Sequence, residues 1–329
     1  MPDILSANVV IRAPREDELE TICQMLNTCD QVDCGMPDSP LDQLRGEWRE
    51  EHFHPETDAW VAVAPGERII AYATVNPSYL FVRLRSNIRV HPDYRGQGIG
   101  SYLLSLAEKR AREFVALAPP EARVVLQTWH HGRNEAAKQL IEAAGFICNR
   151  HTWVMRIDLS EEPVAPQWPA GIVLRPFVPE RDARAVFQAT DEAFSDHWGH
   201  LPGNFEHWYQ HHIANQDDFD PALWFIAMDG DQVAGVALCS YYLDNGLVDT
   251  LGVRRPWRRS GLGMALLRHA FGEFYRRGTH TIDLGVDSQN LTGATRLYER
   301  AGMHILMSYD QYEKELRAGV DRSVRALEV

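Results

Sequence analysis

The sequence predicts a mixed α/β chain made of two tandem copies of one domain, and three observations carry that reading. Its 329 residues, at roughly 150 per domain, suffice for about two domains. Its segments recur at an offset of 163–164 residues. Within each repeat, short strand-like runs alternate with stretches of helical spacing.

Val10, Ile11 and Arg12 open the first copy and Val173, Leu174 and Arg175 the second, each followed by a proline and an acidic stretch that begins a helical pattern. Residues 60–73 lie over residues 224–237, each reading as a strand, a tight turn carrying glycine, and a second strand. Residues 90–100 then match residues 253–263, a strand end running into a glycine-rich turn. Residues 101–117 place Leu103, Leu104, Leu106, Ala107, Ala111, Phe114 and Val115 on one helical face, and residues 264–275 repeat that pattern. Residues 124–126 and 281–286 read as short buried strands. Residues 134–144 and 290–301 read as helices stopped by Gly145 and Gly302. Residues 160–169 hold three prolines and form the natural linker, dividing the chain into domains at 1–159 and 170–329.

Composition narrows the function. A hydrophobic share of 45% with 24% charged residues suits a folded core, and the net charge of −13 disfavours nucleic acid and anionic membranes as partners. No apolar run approaches the roughly 20 residues that span a bilayer, and residues 1–17 lack the basic and apolar regions of a leader. Five scattered cysteines argue against a disulfide framework. A cytoplasmic protein, monomeric or homodimeric, is expected. His207 and His211 have helical metal-ligand spacing but no H-E-x-x-H pattern, so no metal is expected. The surrounding His197, Trp198, His200, Trp208 and His212 read instead as an amphipathic helix and an aromatic-lined cleft. His130 with His131, and His52 with His54, read as solvated loop residues, and Cys239 as core.

The glycine turn carries the chemistry. Gly96, Gly98 and Gly100, and in the second copy Gly261 and Gly263, remove side chains from a tight strand-to-helix turn whose amides can then cradle phosphate oxygens. A Walker A loop is excluded because neither copy has Gly-Lys-Ser/Thr. A dinucleotide turn is excluded because Leu103 and Leu266 replace its third glycine and the turn does not open the repeat. An acyl-CoA pyrophosphate loop survives, and its appearance twice in register sets it above a plain helix start.

The pattern Val-x-x-x-x-Arg-x-x-Gly-x-Gly resembles motif A of the GNAT superfamily of acyl-CoA-dependent N-acetyltransferases. Support comes from Asn134, Ala137, Leu140, Gly145 and Phe146, and from Asn290, Ala294, Leu297, Tyr298, Gly302 and Met303, which are similar to the family's following helix. The resemblance implies, for each half, a mixed, mostly antiparallel sheet flanked by helices. It also implies acetyl-CoA as acyl-donor substrate, with an acetyl group passed to a primary amine of a small molecule by direct attack in a ternary complex. A non-catalytic acyl-CoA sensor or assembly module is the alternative from another class.

By the same resemblance, the backbone N–H of Val253 (Val90 in the first half) meets the thioester oxygen. Leu251 and Asn290 touch the cofactor arm, as does Asn134 in the first half. The amides of Arg258, Arg259, Ser260, Gly261, Leu262 and Gly263 hold the pyrophosphate, matched by Arg95, Gly96, Gln97, Gly98, Ile99 and Gly100. Tyr298 is the candidate acid for the departing thiolate, a role that Ile141 at the matching position cannot fill. The second half is therefore expected to be catalytic. Asp249, four residues before Val253, is expected on the same strand face by period-two alternation and is the first candidate base. His197 is the second.

Overall fold

A computed structural model describes residues 9–216, 218–290 and 293–323. In chain order the first half runs β1 (Val10–Arg12), α1 (Leu19–Asp33), α2 (Leu41–Trp48), α3 (Pro55–Asp58), β2 (Ala59–Ala64) and β3 (Arg68–Pro77). It continues with β4 (Arg83–Val90), α4 (Ile99–Phe114), β5 (Val124–His131), α5 (Glu135–Ala143) and β6 (Ile147–Asp158). The second half runs β7 (Ile172–Pro176), α6 (Pro179–Phe194), α7 (Phe205–Tyr209), β8 (Trp224–Asp229) and β9 (Gln232–Tyr242). It ends with β10 (Asn245–Val253), α8 (Leu262–Arg276), β11 (Thr281–Asp287), α9 (Ala294–Arg300) and β12 (His304–Arg317).

The chain forms two compact units, and they do not follow the halves of the sequence. One consists of the chain up to Arg150 with Tyr309–Arg322, the other of His151–Ser308. In the first unit the strands lie in the order β1-β2-β3-β4-β5-β12, and in the second β6-β11-β10-β9-β8-β7. Each half thus gives its last strand to the other unit. Residues 152–158, assigned by sequence to the first domain, pair with β11, and residues 309–317, assigned to the second, pair with β5. The exchange escapes the sequence because two copies of one repeat offer each other equivalent edges.

All the neighbouring strand pairs within each unit are antiparallel except β4 with β5 and β10 with β11. Helices cover both faces. In the second unit, Leu262, Leu266, Ala270 and Phe274 of α8 pack on Ala237, Val248, Ile282 and Leu284. On the opposite face Ala183, Val186 and Ala189 of α6 meet Ile226, Val236 and Leu238. The first unit repeats this with Ile99 and Leu103 of α4 on one face and Ile22, Met25 and Cys29 of α1 on the other. Of the predicted apolar stripe, Leu103, Leu104, Ala107, Ala111 and Phe114 are buried, whereas Leu106 and Val115, the latter just past the end of α4, are half-buried.

Two local expectations change. His130 and His131 are not loop residues: they end β5, buried where β12 covers it, with rings 5.1 Å from Tyr312 and 4.4 Å from Tyr309. Burial, then Arg89, pushes His131 down to about 4. The helix expected from Asn290 begins only at Ala294, behind Gly293; Leu291 and Thr292 lie outside the described residues, as do residues 1–8 of the leader reading. Among the described residues no helix is long and apolar enough to cross a membrane.

Candidate active site

The glycine bend is built alike in both units. Gly261 caps α8 at φ 91° and Gly98 caps α4 at φ 80°, left-handed positions where a Cβ costs about 1–2 kcal/mol. Two residues earlier Arg259 and Gly96 are also left-handed, at φ 64° and 75°. Alternation of this kind turns successive N–H groups of one bend toward a common centre at the positive end of the helix, a cradle that fits a pyrophosphate. Gly263 and Gly100 serve another need: a Cβ there would stand 3.3 Å from Leu297 and 3.1 Å from Leu140, so the following helix seats closely.

The paired arginines brace the bend. Arg258 donates from Nε to the Val253 carbonyl (3.2 Å), from Nη1 to Asp196 (3.0 Å) and from Nη2 to the Ala193 carbonyl (2.9 Å). Arg95 likewise bonds the Val90 carbonyl and both oxygens of Asp33. Their guanidinium groups hold the strand end to the first helix. The main-chain N–H groups of the two arginines, expected on the pyrophosphate, donate instead to the Arg255 and Pro92 carbonyls (3.3 Å each), which leaves the amides after them for a ligand. Asn134 is similarly engaged: Oδ1 accepts from the Ala137 N–H and Nδ2 donates to Asp33. The Asn290 N–H donates to the Asp287 carbonyl.

Beside each bend the two parallel strands part. β10 pairs with β11 only at Gly246↔Ile282 and Leu247↔Asp283, so its edge from Val248 to Val253 has no partner in β11. In the first unit β4 pairs with β5 from Arg83↔Val125 to Ser86↔Thr128 and is free from Asn87 to Val90. Only β10 carries a bulge beside its fork. Its register with β9 slips between Val248 and Thr250, with Asp249 as the extra residue, whereas β4 follows β3 unbroken from Leu84 to Val90.

The bulge corrects the alternation argument for Asp249. Leu251 and Val253 pack with the α8 cluster. Asp249 instead accepts from Ser240 Oγ (2.6 Å), two residues along β9 from Leu238 in the α6 cluster, and interacts electrostatically with His211. The extra residue has turned it to the opposite face. It is open to solvent yet crowded by protein, and desolvation pushes its carboxyl up to about 6 against the Ser240 hydrogen bond. His197, just past α6, lies on that same side, its ring 4.5 Å from Phe194; burial and then Arg258 lower its pKa.

Tyr298 lies on the other face, in the cluster that holds Leu251 and Val253. Among the described residues its hydroxyl has no hydrogen-bond partner, and burial pushes its pKa up to about 12, so it keeps its proton at any working pH. Candidate acid and candidate bases thus flank an open strand edge from opposite sides. Ser240 was missed by sequence reasoning, since no motif marks a serine that meets a carboxylate across a bulge. His207 and His211 stack at 6.4 Å, and Trp208 packs into the α6 cluster.

The acetyltransferase (GNAT) family model matches residues 19–146 and 184–303. The chain is 30% identical over 267 residues to the mycothiol acetyltransferase of Streptomyces scabiei, covering 79% of each chain, and 32% identical over 223 residues to that of Pseudarthrobacter chlorophenolicus, covering 65% of each. A GCN5-related N-acetyltransferase from Sphaerobacter thermophilus superposes with a TM-score of 0.83 at 36% identity over 96% of this chain and 98% of that one. A tandem GNAT protein from the clavulanic acid biosynthesis pathway shares the fold, with a TM-score of 0.70 at 16% identity over 95% of this chain and 100% of that one. With two amide bends, two forks and both family matches in place, the chain belongs to the GNAT acetyltransferase family and is an acetyl-CoA-dependent N-acetyltransferase.

Proposed function

We propose that the second unit carries the chemistry, passing acetyl to a primary amine of a small molecule by direct attack in a ternary complex. The observation that carries this is the asymmetry of two otherwise matching forks. β10 has the bulged Asp249 and α9 has Tyr298, where β4 runs regular and α5 has Ile141.

In this reading the amides from Arg259 to Gly263 hold the pyrophosphate, Leu251 and Asn290 touch the cofactor arm, and the Val253 N–H donates to the thioester oxygen. A donor of that kind contributes about 2.7–4 kcal/mol to the transition state. Asp249, ionised at neutral pH, takes the proton of the incoming ammonium through water, with His197 as the second candidate. Tyr298 protonates the departing thiolate. In the first unit the amides of Gly96 to Gly100 and the free edge at Val90 bind the cofactor weakly or serve as scaffold. Relatives named for mycothiol acetylation support a small-molecule acceptor. Five free cysteines suit a reducing cytoplasm.

The test is release of CoA thiol from acetyl-CoA across a panel of small amines. Turnover with at least one amine, diminished by Tyr298→Phe at unchanged CoA affinity, is expected. Tight CoA binding with no release above hydrolysis overturns the reading and leaves the sensor.

A further inference from the structure

The fork in the second unit is stitched by side chains, one of them contributed by the first half of the sequence. Asp283 of β11, only 5% exposed, accepts from Arg156 Nε and Nη2, each at 2.7 Å, and from Asn245 Nδ2 at 3.1 Å. Arg156 is its register partner on β6, and Asn245 is the first residue of β10. One carboxylate therefore ties three adjacent strands together. It does so at Leu247↔Asp283, the last pair before β10 and β11 part.

The first unit supplies the contrast. Aligning the two ladders through their β3–β4 and β9–β10 registers sets Arg85 against Leu247, and so Gln127 against Asp283. There Gln127 stands in place of the aspartate, its register partner on β12 is Glu313 rather than an arginine, and the strands stay paired one step further, to Ser86↔Thr128.

We infer that Arg156 and Asn245, acting through Asp283, fix where β10 and β11 separate and thereby position the open edge from Val248 to Val253 that receives the acyl arm. They are positioning residues. Without the stitch, the pair Leu247↔Asp283 loses the side-chain bonds that hold it, so β10 and β11 separate earlier and the open edge that carries the Val253 N–H shifts from its place beside the bend. A bidentate guanidinium–carboxylate pair suits the task because its geometry is fixed in two directions.

The inference rests on the proposed assignment of chemistry to the second unit, and one kinetic experiment separates the two. Arg156→Met alone leaves the buried Asp283 without its counter-charge. The variant to use is therefore Arg156→Met with Asp283→Leu, because apolar replacement of a buried ion pair commonly preserves stability. Asn245→Ala, which keeps the ion pair, is the second variant. Each is assayed as the full chain, with acetyl-CoA as the varied substrate and the best amine from the panel held saturating. The double variant is expected to hold its Tm within about 3 °C of the parent while KM for acetyl-CoA rises about tenfold or more, as small misplacements of a bound group do. Arg156→Lys, a point charge without the fork, is expected to restore little. An unchanged KM in a folded double variant overturns the inference. Should that variant not fold, Asn245→Ala decides, a several-fold rise supporting the stitch and an unchanged KM removing it. A parent chain with no turnover refutes the functional assignment instead.

Discussion

In its proposed role as base, Asp249 sets function and stability against each other. Its carboxyl, raised to about 6 by desolvation, binds a proton more readily in the folded chain than in the unfolded one, whose carboxyl titrates near 4. Its ionised form therefore weighs against folding as pH rises from about 4 through about 6, and that penalty is fully present at neutral pH. Asp249→Asn is expected to raise Tm at pH 8, with the gain vanishing below pH 4. The same change is expected to lower kcat/KM by about 100-fold, the usual scale of a lost base, without altering CoA affinity. In the parent, kcat/KM is expected to climb through pH about 6; a profile flat from pH 5 to 8 would remove Asp249 from the role of base. The residues on the motif, Val253, Gly261 and Tyr298, were legible in the sequence because the bend demands glycine, a strand end and a following helix at fixed spacing. The facing of Asp249 was not. Its bulge is a property of two strands in register, and alternation read along one strand misses it.

Among the elements, the corner between the first strand and first helix is built twice with the same chemistry. In the first unit Arg12 bonds Glu18, which also accepts from the Arg15 N–H, and these bonds hold the Glu18 carboxyl at about 2. In the second unit burial opposes ionisation of Asp182, but bonds from Arg181, the Val178 N–H and Arg175 overcome it and set that carboxyl at about 2. A depressed carboxyl contributes stability that is present above its unfolded value near 4 and lost as pH falls toward 2. Asp182→Asn is expected to cost about 2–3 kcal/mol at pH 7 and little at pH 2, checked by denaturant midpoints at both values. A Cβ at Gly261 would meet nothing within 4 Å, so only backbone strain opposes it. Gly261→Ala is therefore expected to cost about 1–2 kcal/mol and to raise KM for acetyl-CoA as the bend relaxes. Helix positions were readable because one apolar face repeats every turn. The end of β5 was not, since the two histidines are covered by β12, a strand far away in the chain.

Over the whole molecule, the repeat in the sequence correctly announced two similar units but misassigned their last strands. A fragment of residues 1–159 retains β6 and lacks β12, and a fragment of residues 160–329 has the converse defect. Either piece leaves a sheet edge exposed and its core uncovered, so each is expected to be insoluble or partly unfolded alone. Co-expression is expected to restore soluble material and CoA release; soluble, active 160–329 on its own would contradict this. If the second unit alone carries the chemistry, as proposed, the traded strands also restrict how freely the first half can drift. A half without catalysis would ordinarily be released from selection, yet residues 152–158 form one margin of the second unit's sheet. Under the proposed assignment, a lesion in that short stretch would be inherited as an enzymatic defect, although it maps to the copy to which no reaction is assigned.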